Sequence, residues 1–232
     1  MLSQETFAAP MLAAPGEPHL ACVLLLDTSG SMGGQPIDSL NRALYDFKNQ
    51  VSMDEMAQKR VDIAIVEFNS TAQVVQHFTP ISHMEPVTLK ASGLTAMGAG
   101  VNLAIDMVKQ RNEFYDQMGT PVFKPWIFMI TDGSPTDDIE DAVRRVQEEE
   151  MKGEHGKLKF WALGVAGYDK NTLFRFFEGC RAKRVMELSD TDFTGIFRWM
   201  SESMVAISVS RVGDNVPMGD LPSNAHVVPS SW

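Results

Sequence analysis

The sequence predicts an α/β fold in which a mostly parallel sheet lies between two layers of helices. Short apolar runs alternate with segments of helical periodicity throughout residues 19–208. The runs at residues 20–26 and 126–130 contain no charged residue, which is typical of central strands covered on both faces. Because strands that alternate with helices need crossover connections, most of the strands should be parallel.

The first helix is predicted to begin near Pro36, a residue that suits a first helical turn. The apolar residues that recur there at helical spacing are Ile37, Leu40, Leu44, Phe47 and Val51. Polar residues 52–59 indicate a connection or a short turn. Strands are predicted at residues 61–68 and 71–78, and the hairpin signal between them indicates one antiparallel edge strand.

The second half of the chain repeats the alternation. Residues 79–94 are expected to form a loop, and a second helix starts near Met97, with residues 111–124 as a long connection. The strand at 126–130 precedes a helix in which Glu148, Glu149 and Glu150 are expected to face solvent. Further strands are predicted at 158–165 and 184–188, and the helices that follow them have Asp169 and Asp192 as capping residues.

Composition limits the classes of partner. We expect a flexible arm over residues 1–18, a folded domain over 19–208 and a tail over 209–232 that is disordered or lies on the surface. The net charge of −10 disfavours nucleic acid and anionic membranes as partners. No signal peptide or membrane span is recognisable, so a cytoplasmic location is expected. The two cysteines, Cys22 and Cys180, form no metal or redox motif.

Polar residues cluster where two predicted central strands end. Asp27, Ser29 and Ser31 follow the first strand, Asp132 follows the strand at 126–130, and Thr95 precedes the second helix. The carboxyl ends of parallel strands meet at one edge of a sheet, where ligands commonly bind. Two carboxylates and three hydroxyls are a hard-oxygen ligand set that suits Mg²⁺, or Mn²⁺ in its place. A coordination position held only by water would then accept a carboxylate from another protein.

These residues resemble the metal-ion-dependent adhesion site of the von Willebrand factor type A (VWA) domain family. The resemblance covers Asp27-x-Ser29-x-Ser31, Thr95 and the Asp132 loop, and it spans roughly residues 18–208. It implies a Rossmann-like, doubly wound sheet, one divalent cation, and protein binding without catalysis. Asp137 and Asp138 are interpreted as charges at a helix start rather than as ligands.

Two longer segments, Leu26-Asp27-Thr28-Ser29-Gly30-Ser31-Met32 and Thr131-Asp132-Gly133-Ser134-Pro135-Thr136-Asp137, resemble the bacterial TerY branch of this family, which is linked with tellurium resistance. That resemblance implies a stress-response role and a neighbourhood of kinase and phosphatase proteins. A zinc-binding extension found on some relatives is missing, because Cys180 has no neighbouring cysteine.

Other functions are consistent with parts of the pattern. Ser29-Gly30-Ser31-Met32-Gly33 lacks the first glycine of a hydrolase nucleophile elbow, and His155 is predicted at the opposite edge of the sheet. A metal-dependent phosphohydrolase would need a Lys or Arg beside these loops to hold phosphate, and the loops have none. An exported adhesin is the third alternative, although the sequence shows no signal peptide.

Overall fold

The computed structural model describes residues 11–152, 157–165 and 167–229. Its centre is a seven-stranded sheet with the spatial order β3-β2-β1-β4-β5-β6-β7. The strands are β1 (Leu20–Asp27), β2 (Val61–Phe68), β3 (Ala72–Pro80), β4 (Trp126–Thr131), β5 (Lys159–Gly164), β6 (Val185–Leu188) and β7 (Ala225–Val227). Only the pairings β2–β3 and β6–β7 are antiparallel, so both edges of a parallel centre are closed by antiparallel strands.

Helices cover both faces of the sheet. They are α1 (Gln35–Val51), α2 (Glu55–Arg60), α3 (Met97–Gln117), α4 (Glu140–Met151), α5 (Lys170–Arg175) and α6 (Thr194–Ser208). One core lies between the sheet and α1, α2 and α6, and the other lies between the sheet and α3, α4 and α5. This confirms the predicted Rossmann-like α/β class, with a mostly parallel sheet and an antiparallel edge strand.

The sequence of β1 is apolar without alternation because both faces of this strand are covered. Leu20, Cys22, Leu24 and Leu26 face the core under α1 and α6, and Val23 and Leu25 face the core under α3. Every residue of β1 is buried, including Asp27 at its end. A strand with both faces covered carries the chain straight from the interior to the carboxyl edge of the sheet, where the polar loop begins.

Helix α3 is longer than the sequence indicated. The apolar stripe stops at Val108, so the sequence predicts a connection over residues 111–124, but the helix continues to Gln117. Arg111 and Tyr115 prolong the buried face, four residues apart, and both contact the buried carboxylate of Asp62 on β2. Because the side chains of Arg111 and Tyr115 end in polar groups, a hydrophobicity pattern does not show that these residues continue the buried face of the helix.

Two other segments also differ from their sequence interpretation. Residues 55–60 form α2, which Asp54 caps by accepting hydrogen bonds from Met56 N and Ala57 N. Glu149 and Glu150 are buried rather than solvated, because Lys109 lies 3.0 Å from Glu149 and Arg184 lies 2.7 Å from Glu150. These partners come from elsewhere in the chain, so a local run of three glutamates does not reveal them.

The C-terminal segment contributes a strand that its composition did not predict. Residues 225–227 pair with β6, and the Trp199 indole N–H donates a 2.8 Å hydrogen bond to Gly219 O. Val216, Met218 and Leu221 pack against the core under α6. Three residues are too few to show a strand period, so only the open edge of β6 reveals where the segment pairs.

Among the described residues, no helix is both long enough and apolar enough to cross a membrane.

Candidate metal centre

The loop after β1 is fixed by backbone hydrogen bonds to its neighbours. Thr28 N donates to Phe68 O at the end of β2, and Gly30 N donates to Gly93 O, ahead of α3. Ser29 N turns back and donates a 2.8 Å hydrogen bond to Asp27 Oδ1. A short 3-10 turn, Gly30–Met32, follows, and its Met32 side chain is buried. The loop therefore holds Ser29 and Ser31 at defined positions beside Asp27.

The residues at the end of β4 form hydrogen bonds with Asp27 and with the loop that follows β1. Thr131 is fully buried and its hydroxyl donates a 2.6 Å hydrogen bond to Asp27 Oδ2. The Ser31 hydroxyl donates to Asp132 Oδ1 at 2.8 Å, and the Ser29 and Ser31 hydroxyl oxygens are 3.0 Å apart. Strands β1 and β4 are parallel neighbours, so the two carboxylates emerge from the same edge of the sheet.

Thr95 approaches the same point from the start of α3. A β-carbon built on Gly133 would stand 3.6 Å from Thr95 Oγ1 and 3.9 Å from Ser31 Oγ, so both hydroxyls border one small space. The structure therefore brings all five predicted residues together: Asp27, Ser29, Ser31, Thr95 and Asp132. Ser31 is exposed, Asp132 is half-buried, and the other three are buried.

The loop between β4 and α4 also holds the start of α3, which the sequence did not indicate. Thr95 N donates to Thr136 Oγ1 at 3.0 Å, and Thr136 N donates to Thr95 O at 2.9 Å. The Asp137 carboxylate accepts from Gly98 N and Ala99 N, so it caps α3. Asp138 lies at the start of α4, where its carboxylate accepts a hydrogen bond from Glu140 N. Both residues therefore lie at helix starts, as the sequence indicates, but at the starts of two different helices.

Glycine at position 98 permits this contact. A β-carbon there would stand 2.3 Å from Asp138 O, closer than any real contact allows. A β-carbon on Gly100 would stand 3.0 Å from the Phe68 side chain on β2. The two glycines weaken the first turns of α3 on propensity. They allow the close backbone packing that seats Thr95 against the loop of Asp132.

The electrostatics of the site favour a cation. In the part of the chain that the structure describes, neither Asp27 nor Asp132 has a Lys, Arg or His nitrogen within 4.0 Å. Burial raises the pKa of Asp27, and the nearby negative charge of Asp132 adds to that increase, although hydrogen bonds from Ser29 and Thr131 oppose it. A divalent ion would neutralise both carboxylates.

The donor set fits a hard divalent cation better than a soft one. The described residues contain no group of three or more His, Cys, Asp or Glu side chains that could hold a metal, so the set has two carboxylates and depends on hydroxyls. Oxygen donors alone suit Mg²⁺ or Mn²⁺, and few charged ligands leave coordination positions for water or an incoming group.

Cys22 and Cys180 are buried free thiols, and burial raises the pKa of both.

The fold and the site together define an α/β domain with an oxygen-lined candidate cation site at the carboxyl edge of its sheet. The chain belongs to the von Willebrand factor type A domain family, whose model matches residues 22–198. Comparison with curated proteins gives no significant match.

Solved structures share the fold at low sequence identity. The VWA protein from Catenulispora acidiphila is 17% identical with a TM-score of 0.56, and the match covers 82% of this chain and 43% of that one. Proximal thread matrix protein 1 from the mussel byssus, with a zinc-occupied MIDAS (metal-ion-dependent adhesion site) motif, is 14% identical with a TM-score of 0.55. That match covers 81% of this chain and 48% of the other. The pilus adhesin SpaC from Lactobacillus rhamnosus GG is 12% identical with a TM-score of 0.65, covering 84% and 31%. The matched region is less than half of each of these proteins.

The hydrolase alternative gains no support from the geometry. The Ser31 hydroxyl donates to a carboxylate, Asp132, rather than to a histidine. The third residue of that alternative, His155, lies outside the described residues. VWA domains are generally non-catalytic interaction modules, which agrees with the interpretation of these loops as a binding site.

Proposed function

We propose that this chain is a non-catalytic module that binds a protein partner through a divalent cation, Mg²⁺ in the first instance. The ion would be held by Asp27, Ser29, Ser31, Thr95 and Asp132. The observation that carries the proposal is the environment of Asp27. Its carboxylate is fully buried and accepts hydrogen bonds from a hydroxyl and an amide, and no basic side chain among the described residues pairs with it. An ionised carboxylate in such surroundings is costly unless a counter-charge arrives.

Three of the five residues can be assigned to two different roles. Both oxygens of Asp27 accept hydrogen bonds, one from Ser29 N and one from Thr131 Oγ1, so Asp27 is held rigidly and supplies charge at the base of the site. Ser31 and Asp132 are the more exposed members, and their 2.8 Å hydrogen bond would be exchanged for bonds to the metal. When bound, the ion supplies an electrophilic centre that attracts an anionic oxygen.

The surroundings of the site favour an incoming acidic side chain. Exposed residues around it include Gly30, Gly33 and Ser134, which leave room for another protein to approach closely. Leu94, adjacent to Thr95, is 60% exposed and is the large apolar side chain of this rim. A partner that presents an Asp or Glu beside an apolar residue fits both features.

The narrower assignment remains a prediction from sequence. We propose a TerY-like role in a bacterial stress or tellurium-resistance system, with kinase or phosphatase proteins as partners, on the two segments around Asp27 and Asp132 alone. A cytoplasmic location belongs to the same proposal. Cell fractionation of the full-length protein tests the location, and recovery in the exported fraction would favour the adhesin alternative.

Calorimetric titration tests the metal. Mg²⁺ and Mn²⁺ are titrated into EDTA-stripped wild-type protein, into Asp27→Ala, and into Asp220→Asn, whose exposed carboxylate lies in the C-terminal segment. We expect one saturable site in the wild type and in Asp220→Asn, and its loss in Asp27→Ala. Failure of the folded wild type to bind either ion would refute the proposal.

Partner binding needs a separate test. Ser29→Ala combined with Ser31→Ala removes two hydroxyls without changing charge, so the fold should persist. Capture of proteins by the immobilised wild type should depend on Mg²⁺ and be lost in EDTA and in the double variant. Capture that is equal in all three conditions would contradict a metal-mediated contact.

A further inference from the structure

The three hydroxyl groups of the candidate metal centre come from two separate segments. Ser29 and Ser31 lie in the loop that runs into α1, whereas Thr95 lies near the end of residues 84–96, the linking segment that leads into α3. The linking segment contains no helix or strand. The position of Thr95 relative to the two serines therefore depends on the contacts that fix this segment to its neighbours.

Backbone hydrogen bonds join the linking segment to the loop after β1. Ser92 N donates to Thr28 O at 2.8 Å, and Gly30 N donates to Gly93 O at 3.1 Å. Residues 92–94 are exposed, and the hydrogen bonds of exposed loops open readily because water can replace either partner. These two bonds alone would leave the segment free to shift along α1.

Asn41 provides a second attachment, on α1 itself. Its Nδ2 donates a 3.0 Å hydrogen bond to Leu89 O, and its Oδ1 accepts a 2.8 Å hydrogen bond from Leu89 N. One side-chain amide thus pairs with both backbone groups of one residue, as a neighbouring strand does in an antiparallel pair. The Leu89 side chain is buried in the core under α1 and α6, which limits the access of water to these bonds.

Before Leu89, the linking segment lies away from part of α1. A cavity of about 130 Å³ separates them there, lined by Leu44 and Tyr45 on the helix and by Val87 on the segment. Asn41 also borders this cavity. Leu89 is therefore the point at which the segment returns to the helix, and the paired hydrogen bonds of Asn41 fix where it lies along α1.

We infer that Asn41 is a positioning residue for the metal centre: through Leu89 it fixes the distance between Thr95 and the two serines before α1. The inference rests on the proposed function, since it concerns the same ion. The hydrogen bond from Thr95 N to Thr136 Oγ1 holds Thr95 against the loop after β4, but not against the segment before α1. Mg²⁺ requires near-octahedral oxygen ligands at about 2.1 Å, so a small shift of one hydroxyl weakens its binding.

The first test is a calorimetric Mg²⁺ titration of Asn41→Ala and of a matched control, Gln58→Ala. The control removes the 2.6 Å hydrogen bond from Gln58 Nε2 to Ser52 O, between α2 and the end of α1. Each variant is measured in the wild-type and Thr95→Ala backgrounds. We expect Asn41→Ala to raise the Kd about 5-fold or more in the wild-type background. The change should stay below about 2-fold in the Thr95→Ala background, where position 95 has no hydroxyl to be placed, and in Gln58→Ala.

The second test needs no metal. In EDTA, the amides of Ser92 and Thr95 should exchange hydrogen about 10-fold faster in Asn41→Ala than in the wild type or in Gln58→Ala, because a shifting segment loses their acceptors more often. A general loss of stability would instead accelerate the exchange of Leu24, on the buried strand β1, by the same factor.

Several results would overturn the inference. They are equal Mg²⁺ affinity in Asn41→Ala and Gln58→Ala, equal weakening by Asn41→Ala in both backgrounds, and unchanged exchange of Ser92 and Thr95. Failure of the folded wild type to bind Mg²⁺ or Mn²⁺ is a different result, because it refutes the proposed metal centre itself. Exchange in EDTA would then still show whether Asn41 holds the linking segment in place.

Discussion

Two fully buried aspartates, Asp27 on β1 and Asp62 on β2, lie near opposite ends of two paired strands and have different surroundings. Asp62 Oδ2 is 2.8 Å from His19 Nδ1 and 3.0 Å from Arg111 Nη2, and it also accepts from the Tyr115 hydroxyl. Asp27 accepts from an amide and from a hydroxyl and has no basic partner among the described residues.

The pKa values of the two carboxyl groups shift in opposite directions. Burial alone would raise the pKa of Asp62, but the His19 hydrogen bond and the Arg111 charge outweigh burial and hold the pKa below its usual range. At Asp27 burial prevails and the pKa is raised. Asp62 is thus paired with basic groups of the chain itself, whereas Asp27 has no basic partner among the described residues, which agrees with the proposal that it binds a cation.

The largest expected effect comes from removing Asp62. Asp62→Ala leaves Arg111 buried without its carboxylate, and a broken buried ion pair typically costs about 3–5 kcal/mol. Urea unfolding in EDTA should show this loss in Asp62→Ala and a much smaller change in Asp27→Ala, where no basic group is orphaned. Equal losses in the two variants would erase the distinction between the aspartates.

The pH dependence of stability should separate the two aspartates by sign. A lowered folded pKa, as for Asp62, stabilises the protein above the unfolded value of about 3.9 and is lost as pH falls through the folded pKa. A raised folded pKa, as for Asp27, does the reverse: its contribution is lost as pH rises from below 3.9 through the folded pKa.

The free energy of unfolding, measured in EDTA from pH 3 to pH 7, provides the check. Relative to wild type, Asp27→Asn should gain stability as pH rises, and Asp62→Asn should lose it. The change should be about 1.4 kcal/mol for each pH unit that separates the folded from the unfolded pKa. Slopes of the same sign would contradict the assignment. Saturating Mg²⁺ should reverse the advantage of Asp27→Asn over wild type, because the ion stabilises the ionised carboxylate.

The variant Asp137→Ala extends the comparison to a residue that contacts the start of α3, close to Thr95, but is not itself a proposed metal ligand. Asp137→Ala removes the cap of α3 and should cost about 1 kcal/mol of stability. It should also weaken Mg²⁺ binding several-fold, because Thr95 lies two residues before the capped helix. Asp54→Ala, which removes the equivalent cap of α2, is the matched control and should leave Mg²⁺ affinity unchanged. Unchanged affinity in both variants would make Asp137 purely structural.

The smallest expected effect on stability is that of Gly133→Ala. The added methyl would stand 3.6 Å from Thr95 Oγ1, an ordinary contact, so Tm should change little. It would nevertheless occupy the space bordered by the two hydroxyls, and Mg²⁺ affinity should fall by an order of magnitude or more. Gly219→Ala, where the methyl meets no atom within 4 Å, serves as the control. Wild-type Mg²⁺ affinity in Gly133→Ala would place the ion elsewhere.

The sequence by itself determined the parallel core and the five residues of the candidate site. Apolar runs such as residues 20–26 can be recognised as central strands because a strand covered on both faces has no polar position. Asp27, Ser29 and Ser31 can be recognised as candidate ligands because they follow such a run within five residues. Asp132 follows from the rule that parallel strands end at one edge. Thr95 lies in the loop before a helix, and its inclusion depended on the resemblance to the VWA family.

Tertiary structure decided the groups that act at a distance along the chain. The continuation of α3 depends on Arg111 and Tyr115 meeting Asp62 from a separate strand, so no local period reveals it. The 2.6 Å hydrogen bond from Thr131 to Asp27 spans 104 positions, and the cap that Asp137 provides for α3 spans about forty. Local patterns record which residues face the core, whereas the partner of a buried polar atom is fixed only when distant segments pack together.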